Sequence, residues 1–150
     1  MAERIGAIDP TQEQLDVFKG LPRNEPIHML NLIRLREKAL YPPEHPNAGR
    51  GISGLEAYRS YARGATPTFQ RVGGRQIWLG DPQCLVIGPA GERWDLAFIA
   101  EYPSAAAFLQ MITDGEYREQ VKHRQAAVAD SRLIRLRPRK LGVEVGPADH

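Results

Sequence analysis

The chain is predicted to fold as a two-layer α+β domain, and three observations lead there. Its 150 residues match the usual size of one domain, and a chain of that length buries roughly 68–70% of its unfolded surface, enough for a core without staples. Apolar runs of strand length and stripes of helical spacing succeed one another in the order β, α, β, β, α, β. Hydrophobic residues make up 42% and charged residues 25%, with four Phe, five Tyr and two Trp, which excludes a disordered chain or a fibre.

Taken in order, Thr11 can cap a first helix, because Gln14 three residues on can reach back to the cap nitrogen; Leu15 and Phe18 share a face before Gly20 and Pro22 end it. With its lead-in, residues 1–26, this helix reads as an addition packed against the core, residues 27–138, while residues 139–150 read as a flexible basic tail. Ile27 to Arg36 is nearly continuous in apolar residues and suits a central strand. Alternation puts Met29, Asn31 and Ile33 on one face and His28, Leu30, Leu32 and Arg34 on the other, so Asn31 is an amide among apolar neighbours. From Glu37 to Ile52, three prolines (Pro42, Pro43, Pro46) with Gly49 and Gly51 forbid a regular element.

Ser53 and Glu56 form a second capping box, followed by Leu55, Tyr58, Ala62, Ala65, Phe69 and Val72 at helical spacing; Thr66-Pro67 predicts a kink or restart, and Gly73-Gly74 closes the stripe. Gln76 to Leu79 and Cys84 to Ile87 flank Gly80-Asp81-Pro82, which predicts a bulged or bent strand that turns at Gly88 to Gly91 and pairs with Trp94 to Tyr102. Pro103-Ser104 opens the second helical region, Asp114-Gly115 interrupts it, and Glu116 to Ala129 continue it with Tyr117, Val121 and Val128 inward. Ser131 to Leu136 is the last strand.

That order is the ferredoxin-like βαββαβ sandwich. With both helices on one face, the sheet's other face, carrying Leu30 and Leu32, is left apolar, and pairing of two sheet faces in a homodimer is the expected cover. The alternative, a monomer covered by its own N-terminal helix, needs a helix longer than Thr11 to Lys19.

Twenty Lys+Arg against eighteen Asp+Glu leave +2, too little to draw the whole molecule to nucleic acid or an anionic membrane. Cys84 stands alone, so no disulfide framework or Cys-rich zinc module exists. No apolar run reaches membrane-spanning length and Met-Ala-Glu-Arg opens no signal peptide, which predicts a soluble cytoplasmic protein. His28, His45, His123 and His150 show no metal-ligand spacing, and neither a phosphate-cradling glycine loop nor a G-x-S-x-G elbow occurs. No cofactor is therefore expected.

Met29-Leu30-Asn31-Leu32, the helix start from Gly54 to Tyr61, Val72-Gly73-Gly74-Arg75, Trp94-Asp95, Glu101-Tyr102-Pro103-Ser104 and Ala129-Asp130-Ser131-Arg132-Leu133 together resemble the bacterial family DUF1330 of the dimeric α/β-barrel superfamily. The resemblance runs from about Ile27 to Pro138 and implies a ferredoxin-like chain that dimerises into an α/β barrel. The family carries no settled activity. Its superfamily includes cofactor-free and heme-degrading monooxygenases, isomerases and dehalogenases, so fold does not choose the chemistry.

Five residues are candidates for a site. Asn31 offers donors and an acceptor to a ligand carbonyl or phenol, or else satisfies a neighbouring backbone group; it resembles the pocket-lining first-strand Asn of superfamily monooxygenases. Trp78 offers a stacking wall or is plain core. His123 could move a proton from a helix face, or lie solvated. Asn31, Trp78 and His123 are similar to the set used by heme-degrading relatives, although Trp78 sits on another strand and Trp94 is the competing counterpart. Tyr58 belongs to the helical stripe with a hydroxyl able to reach a cavity. Arg132 could clamp a carboxylate, or pair internally with Asp95 or Asp130. Arg135, Arg137, Arg139 and Lys140 read as a solvated edge and tail. The expected site is the cleft between sheet and helices, roofed by the Tyr41 to Gly51 loop. The expected function is a small cofactor-free enzyme, monooxygenase- or isomerase-like, acting on an aromatic or carbonyl compound, or else a non-catalytic small-molecule-binding or structural homodimer.

Overall fold

Local signals at the chain's helix starts are satisfied as their chemistry requires. In the computed structural model, which describes residues 6–142, the first helix, α1 (Gln12–Gly20), begins with a reciprocal box in which the Gln14 N–H donates to Thr11 Oγ1 and the Thr11 N–H donates to Gln14 Oε1. Strand β1 (Ile27–Leu35) follows, then the proline-rich loop, then α2 (Gly54–Arg71), where the Glu56 N–H donates to the Ser53 hydroxyl but the Glu56 side chain does not return a bond to the Ser53 N–H, so the expected second box forms only in half. The helix does not restart at Thr66-Pro67: α2 runs 18 residues through Pro67. Buried Ala65 and Thr68 anchor the helix on both sides of the proline, so packing carries it across the missing N–H. The opening Met-Ala-Glu-Arg and residues 143–150 of the expected tail lie outside the described residues.

Strand β2 (Arg75–Gly80) and strand β3 (Leu96–Tyr102) pair antiparallel, and their ladder ends at Gly80 opposite Ala97. Cys84 to Ile87 therefore have no strand to pair with, and the expected second half of that strand is a loop in which Val86 and Ile87 are 85% and 90% exposed. Trp94 and Asp95 precede β3, and Asp95 closes the end of β1 instead: its N–H donates to the Ile33 carbonyl and its carboxylate accepts from the Leu35 N–H, both at 2.7 Å. Asp114 separates α3 (Ala105–Thr113) from α4 (Gly115–Ala127), accepting from the Glu116 and Tyr117 N–H groups. Strand β4 (Val128–Leu136) begins three residues before the expected Ser131, directly where α4 ends.

The four strands form one antiparallel sheet in the order β2-β3-β1-β4, the ferredoxin-like arrangement. Register sets Met29, Asn31 and Ile33 beside Ala100, Phe98 and Leu96 of β3 and beside Arg135, Leu133 and Ser131 of β4, all on the helix-bearing face. Ile27, Met29 and Ile33 are buried there, and α2 and α4 lie side by side over them. On the open face stand Leu30, Leu32, Ile99, Ile134 and Leu136, edged by Glu101 held between His28 (3.0 Å) and Arg75 (2.7 Å).

Helix α1 contributes no buried residue and docks through Phe18, whose ring lies 5.2 Å from Phe108 and under the Arg135 guanidinium at 4.9 Å. It thus sits beside α3 and the β4 edge on the helix-bearing side and does not cover the open face of the sheet. No helix of the described residues is long and apolar enough to cross a membrane.

Candidate functional site

The helix layer does not fill the space above the sheet. A cleft of about 940 Å³ runs beneath α2 and α4 from Gln76 and Leu79 on β2 to Ser131 and Leu133 on β4, within the usual size range of small-molecule sites. Its walls are mostly apolar: Met29, Phe98 and Ala100 of the sheet, Ala65 and Phe69 of α2, Val121 of α4. Residues from Ala7 to Leu21 close its β4 side.

Asn31 and Tyr58 both line this cleft. One amide N–H of Asn31 donates to the Met29 carbonyl at 3.1 Å, and Oδ1 has no hydrogen-bond partner among the described residues. The amide is thus steadied by backbone through its donor, as the second reading expects, while its acceptor is unused among the described residues. Tyr58 is buried against the cluster that holds Ile33 and Phe98, the latter opposite Asn31. Its ring leans on Tyr61 at 5.4 Å, and its hydroxyl has no hydrogen-bond partner among the described residues.

Sequence reading missed the rest of the polar lining. Tyr61 and Tyr117 join hydroxyls at 2.9 Å, and the Tyr102 hydroxyl points at Met111 Sδ, 3.8 Å away. Burial pushes the hydroxyls of Tyr58, Tyr61, Tyr102 and Tyr117 up, the charge of Arg124 opposing it at Tyr58, Tyr61 and Tyr117. These tyrosines are therefore neutral donors at physiological pH. Arg124 donates to the Ile8 carbonyl and to Ser131 Oγ, and Ser131 Oγ donates to the Ala7 carbonyl, so this half-buried cation of the cleft also ties down the N-terminal segment. The signal was present: Tyr61 follows Tyr58 by three residues and Arg124 follows Tyr117 by seven, each pair sharing one helix face.

The other candidates stand elsewhere. His123 does not line the cleft. Its Nδ1 lies 2.7 Å from the Tyr41 hydroxyl, its ring meets His45 edge-on at 5.5 Å, and burial, then the neighbouring His45, pull its pKa below the ordinary histidine range. The Tyr41 to Gly51 loop is accordingly not the cleft's roof: Tyr41 stacks on His45 and packs into the cluster with Ile33, Ala126 and Val128, while α1 and its lead-in border the cleft.

Trp78 is on the opposite side of the sheet. The β2 register slips between Gln76 and Trp78, which leaves Gln76 and Leu79 facing the helices and turns Trp78, opposite Ile99, to the open face, half exposed. Arg132 touches the cleft's rim, but its guanidinium is engaged by Asp130 at 2.7 Å and Glu92 at 3.6 Å and lies 5.2 Å from the Trp94 ring centre. The internal ion pair with Asp130 is what forms. Asn31, Trp78 and His123 thus point to three separate places and compose no heme-holding set. Among the described residues no group of three His, Cys, Asp or Glu converges on a metal position.

Residues 51–136 match a domain of unknown function, DUF1330. The chain is 54% identical to RPA0582, a protein of unknown function from Rhodopseudomonas palustris; over 90% of this chain and 98% of that one the TM-score is 0.82. The methylated form of RPA0582 is similar at 54% identity and TM-score 0.86, over 93% of this chain and all of that one. A more remote likeness, at 13% identity and TM-score 0.47 over 80% of this chain and 99% of the other, is to SnoaB, a cofactor-independent oxygenase from Streptomyces nogalater. No curated protein matches the chain.

Proposed function

The chain belongs to the DUF1330 family, and we propose that it is a cytoplasmic homodimer, paired through its sheet faces, that binds a small aromatic or carbonyl-bearing molecule in the cleft of each protomer. The observation that carries the reading is the conjunction of Asn31 Oδ1 and the Tyr58 hydroxyl, both without a partner among the described residues, in a cleft of about 940 Å³ whose remaining walls are largely apolar. Neither atom is among the fully buried ones, so both are accessible from the cleft, and two such groups in one largely apolar space supply the few convergent polar groups that orient a ligand. Support for the dimer is the open sheet face, where Leu30, Leu32, Ile99 and Ile134 are covered neither by helices nor by α1.

Turnover is the second reading, favoured by the protonated Tyr58 hydroxyl, which is suited to donate to an oxyanion developing on a bound carbonyl. This fits cofactor-free isomerisation or oxygenation of a substrate acidic enough to need no strong base. A proton-moving role for His123 would have to act from the Tyr41 side of α4. Thermal unfolding across a panel of aromatic and carbonyl metabolites tests binding, since a ligand at one hundred times its Kd adds about 2.7 kcal/mol. Hits are then incubated with oxygen and followed by mass spectrometry in wild type, Asn31→Ala, Tyr58→Phe and His123→Ala. Ligands that stabilise the wild type and the Asn31 and Tyr58 variants alike overturn the site; binding without product in any protein leaves the binding module; product lost only in His123→Ala moves the chemistry out of the cleft.

A further inference from the structure

The charges that line the cleft are lopsided. Arg59, Arg118, Arg124, Arg132 and Arg135 border it, against a single carboxylate, Asp9, in a chain whose net charge is only +2. Of the five, Arg132 alone has a carboxylate within ion-pair distance among the described residues. Arg124 and Arg135 spend their N–H groups on backbone carbonyls and a hydroxyl, neutral acceptors that leave the positive charge in place. Arg59 and Arg118 are exposed at the rim.

We propose that the cleft selects apolar organic anions, of the aromatic carboxylate class, whose charged group sits between Arg124 and the hydroxyls of Tyr58 and Tyr61. The inference rests on the ligand-binding reading of the cleft and names the chemistry of its occupant. A half-buried guanidinium without a counter-ion lacks its best partner, and hydrogen bonds to an ionised group are the strong ones. Arg124 lines the same cleft as Tyr58, Tyr61 and Tyr117, and its charge acts on all three phenols. Those phenols stay protonated, so they present donors to an anion: the Tyr58 hydroxyl is free, and in the Tyr61–Tyr117 pair one hydroxyl donates and the other keeps its proton for a ligand. The cleft offers an anion cationic and neutral donors while its Met, Phe and Ala walls take the ring. Arg59 and Arg118, exposed and lining the same cleft, raise the local concentration of anions before they enter.

The probe pair is 1-naphthoate and 1-naphthamide, equal in shape and different in charge, titrated calorimetrically into the full chain at low and high salt. Naphthoate is expected to bind about 10-fold tighter than the amide, with the ratio shrinking as salt rises. Arg124→Gln should bring the ratio close to one, Arg124→Lys should keep most of it, and Arg63→Gln, on α2 outside the cleft lining, should leave it unchanged. Equal or tighter binding of the amide overturns the anion selectivity while sparing the cleft as a ligand site. Binding of neither compound overturns both readings. If Arg124→Gln fails to fold, the exposed pair Arg59→Gln and Arg118→Gln with the salt series decides: an unchanged ratio in both refutes the inference.

Discussion

Ala65 faces the cleft from α2, 7% exposed, within the cluster that holds Met29, Ala100 and Tyr117. Ala65→Leu asks whether the space above the sheet is open in solution. Leu adds three carbons, and at about 0.8 kcal/mol per buried CH₂ full burial is worth about 2.4 kcal/mol. The cleft is partly open to solvent, so roughly half to three quarters of that, about 1–2 kcal/mol, is the expected gain; the helix itself barely distinguishes Ala from Leu. For a chain of this length that is a rise of roughly 3–6 °C in Tm, read by thermal unfolding and by the urea midpoint. The same side chain occupies ligand space, so the variant should lose affinity for whatever compound stabilises the wild type. In a close-packed interior the added carbons would instead be forced off rotamer, at a cost of about 1–3 kcal/mol. A Tm that falls, or a gain in stability with ligand affinity untouched, refutes the open cleft.

Four further outcomes are expected. Because burial and His45 lower the folded pKa of His123, the unfolded chain binds the extra proton first; the stability this contributes is complete above about pH 6.5 and is lost as pH falls through the folded value. A urea midpoint that declines from pH 8 to pH 5 in the wild type, and less steeply in His123→Gln, checks this. Tyr41→Phe removes the 2.7 Å contact with His123 Nδ1 and should cost about 0.5–1.5 kcal/mol in chemical unfolding. Ser53→Ala leaves the Glu56 N–H uncapped at the start of α2 and should cost about 1 kcal/mol by the same measurement. Light scattering should give about twice the chain mass of 16.8 kDa and revert to the single-chain value in Leu30→Glu; a wild type that stays single at every concentration sinks the sheet-face dimer.

Much of this molecule is legible in the sequence because its signals are local. The Thr11 and Ser53 caps, the Asp114 break and the glycines after α2 work through neighbours a few residues away, so composition and spacing suffice to place α1, α2, α3 and α4. Asn31 was legible for the same reason: alternation within one strand sets it with Met29 and Ile33, whatever lies across the sheet. Tyr58 follows from helical periodicity. What depends on pairing between distant segments was not legible. A one-residue slip at Gln76 sends Trp78 to the other face, and nothing in the residues of β2 reports that slip, because it belongs to the β2–β3 register. The strand-like run from Cys84 to Ile87 stays unpaired because the β2–β3 ladder ends at Gly80 opposite Ala97, one residue from the start of β3 at Leu96, which leaves no β3 residue for it to face. Likewise the tertiary structure alone decides that the proline-rich loop seats Tyr41 and His45 on His123, away from the cleft, and that Arg124, next in sequence, turns into the cleft and holds the N-terminal segment across it. Adjacent residues on a helix are 100° apart, so which of the two meets the cavity is settled by how α4 rolls onto the sheet, an outcome of packing the whole layer.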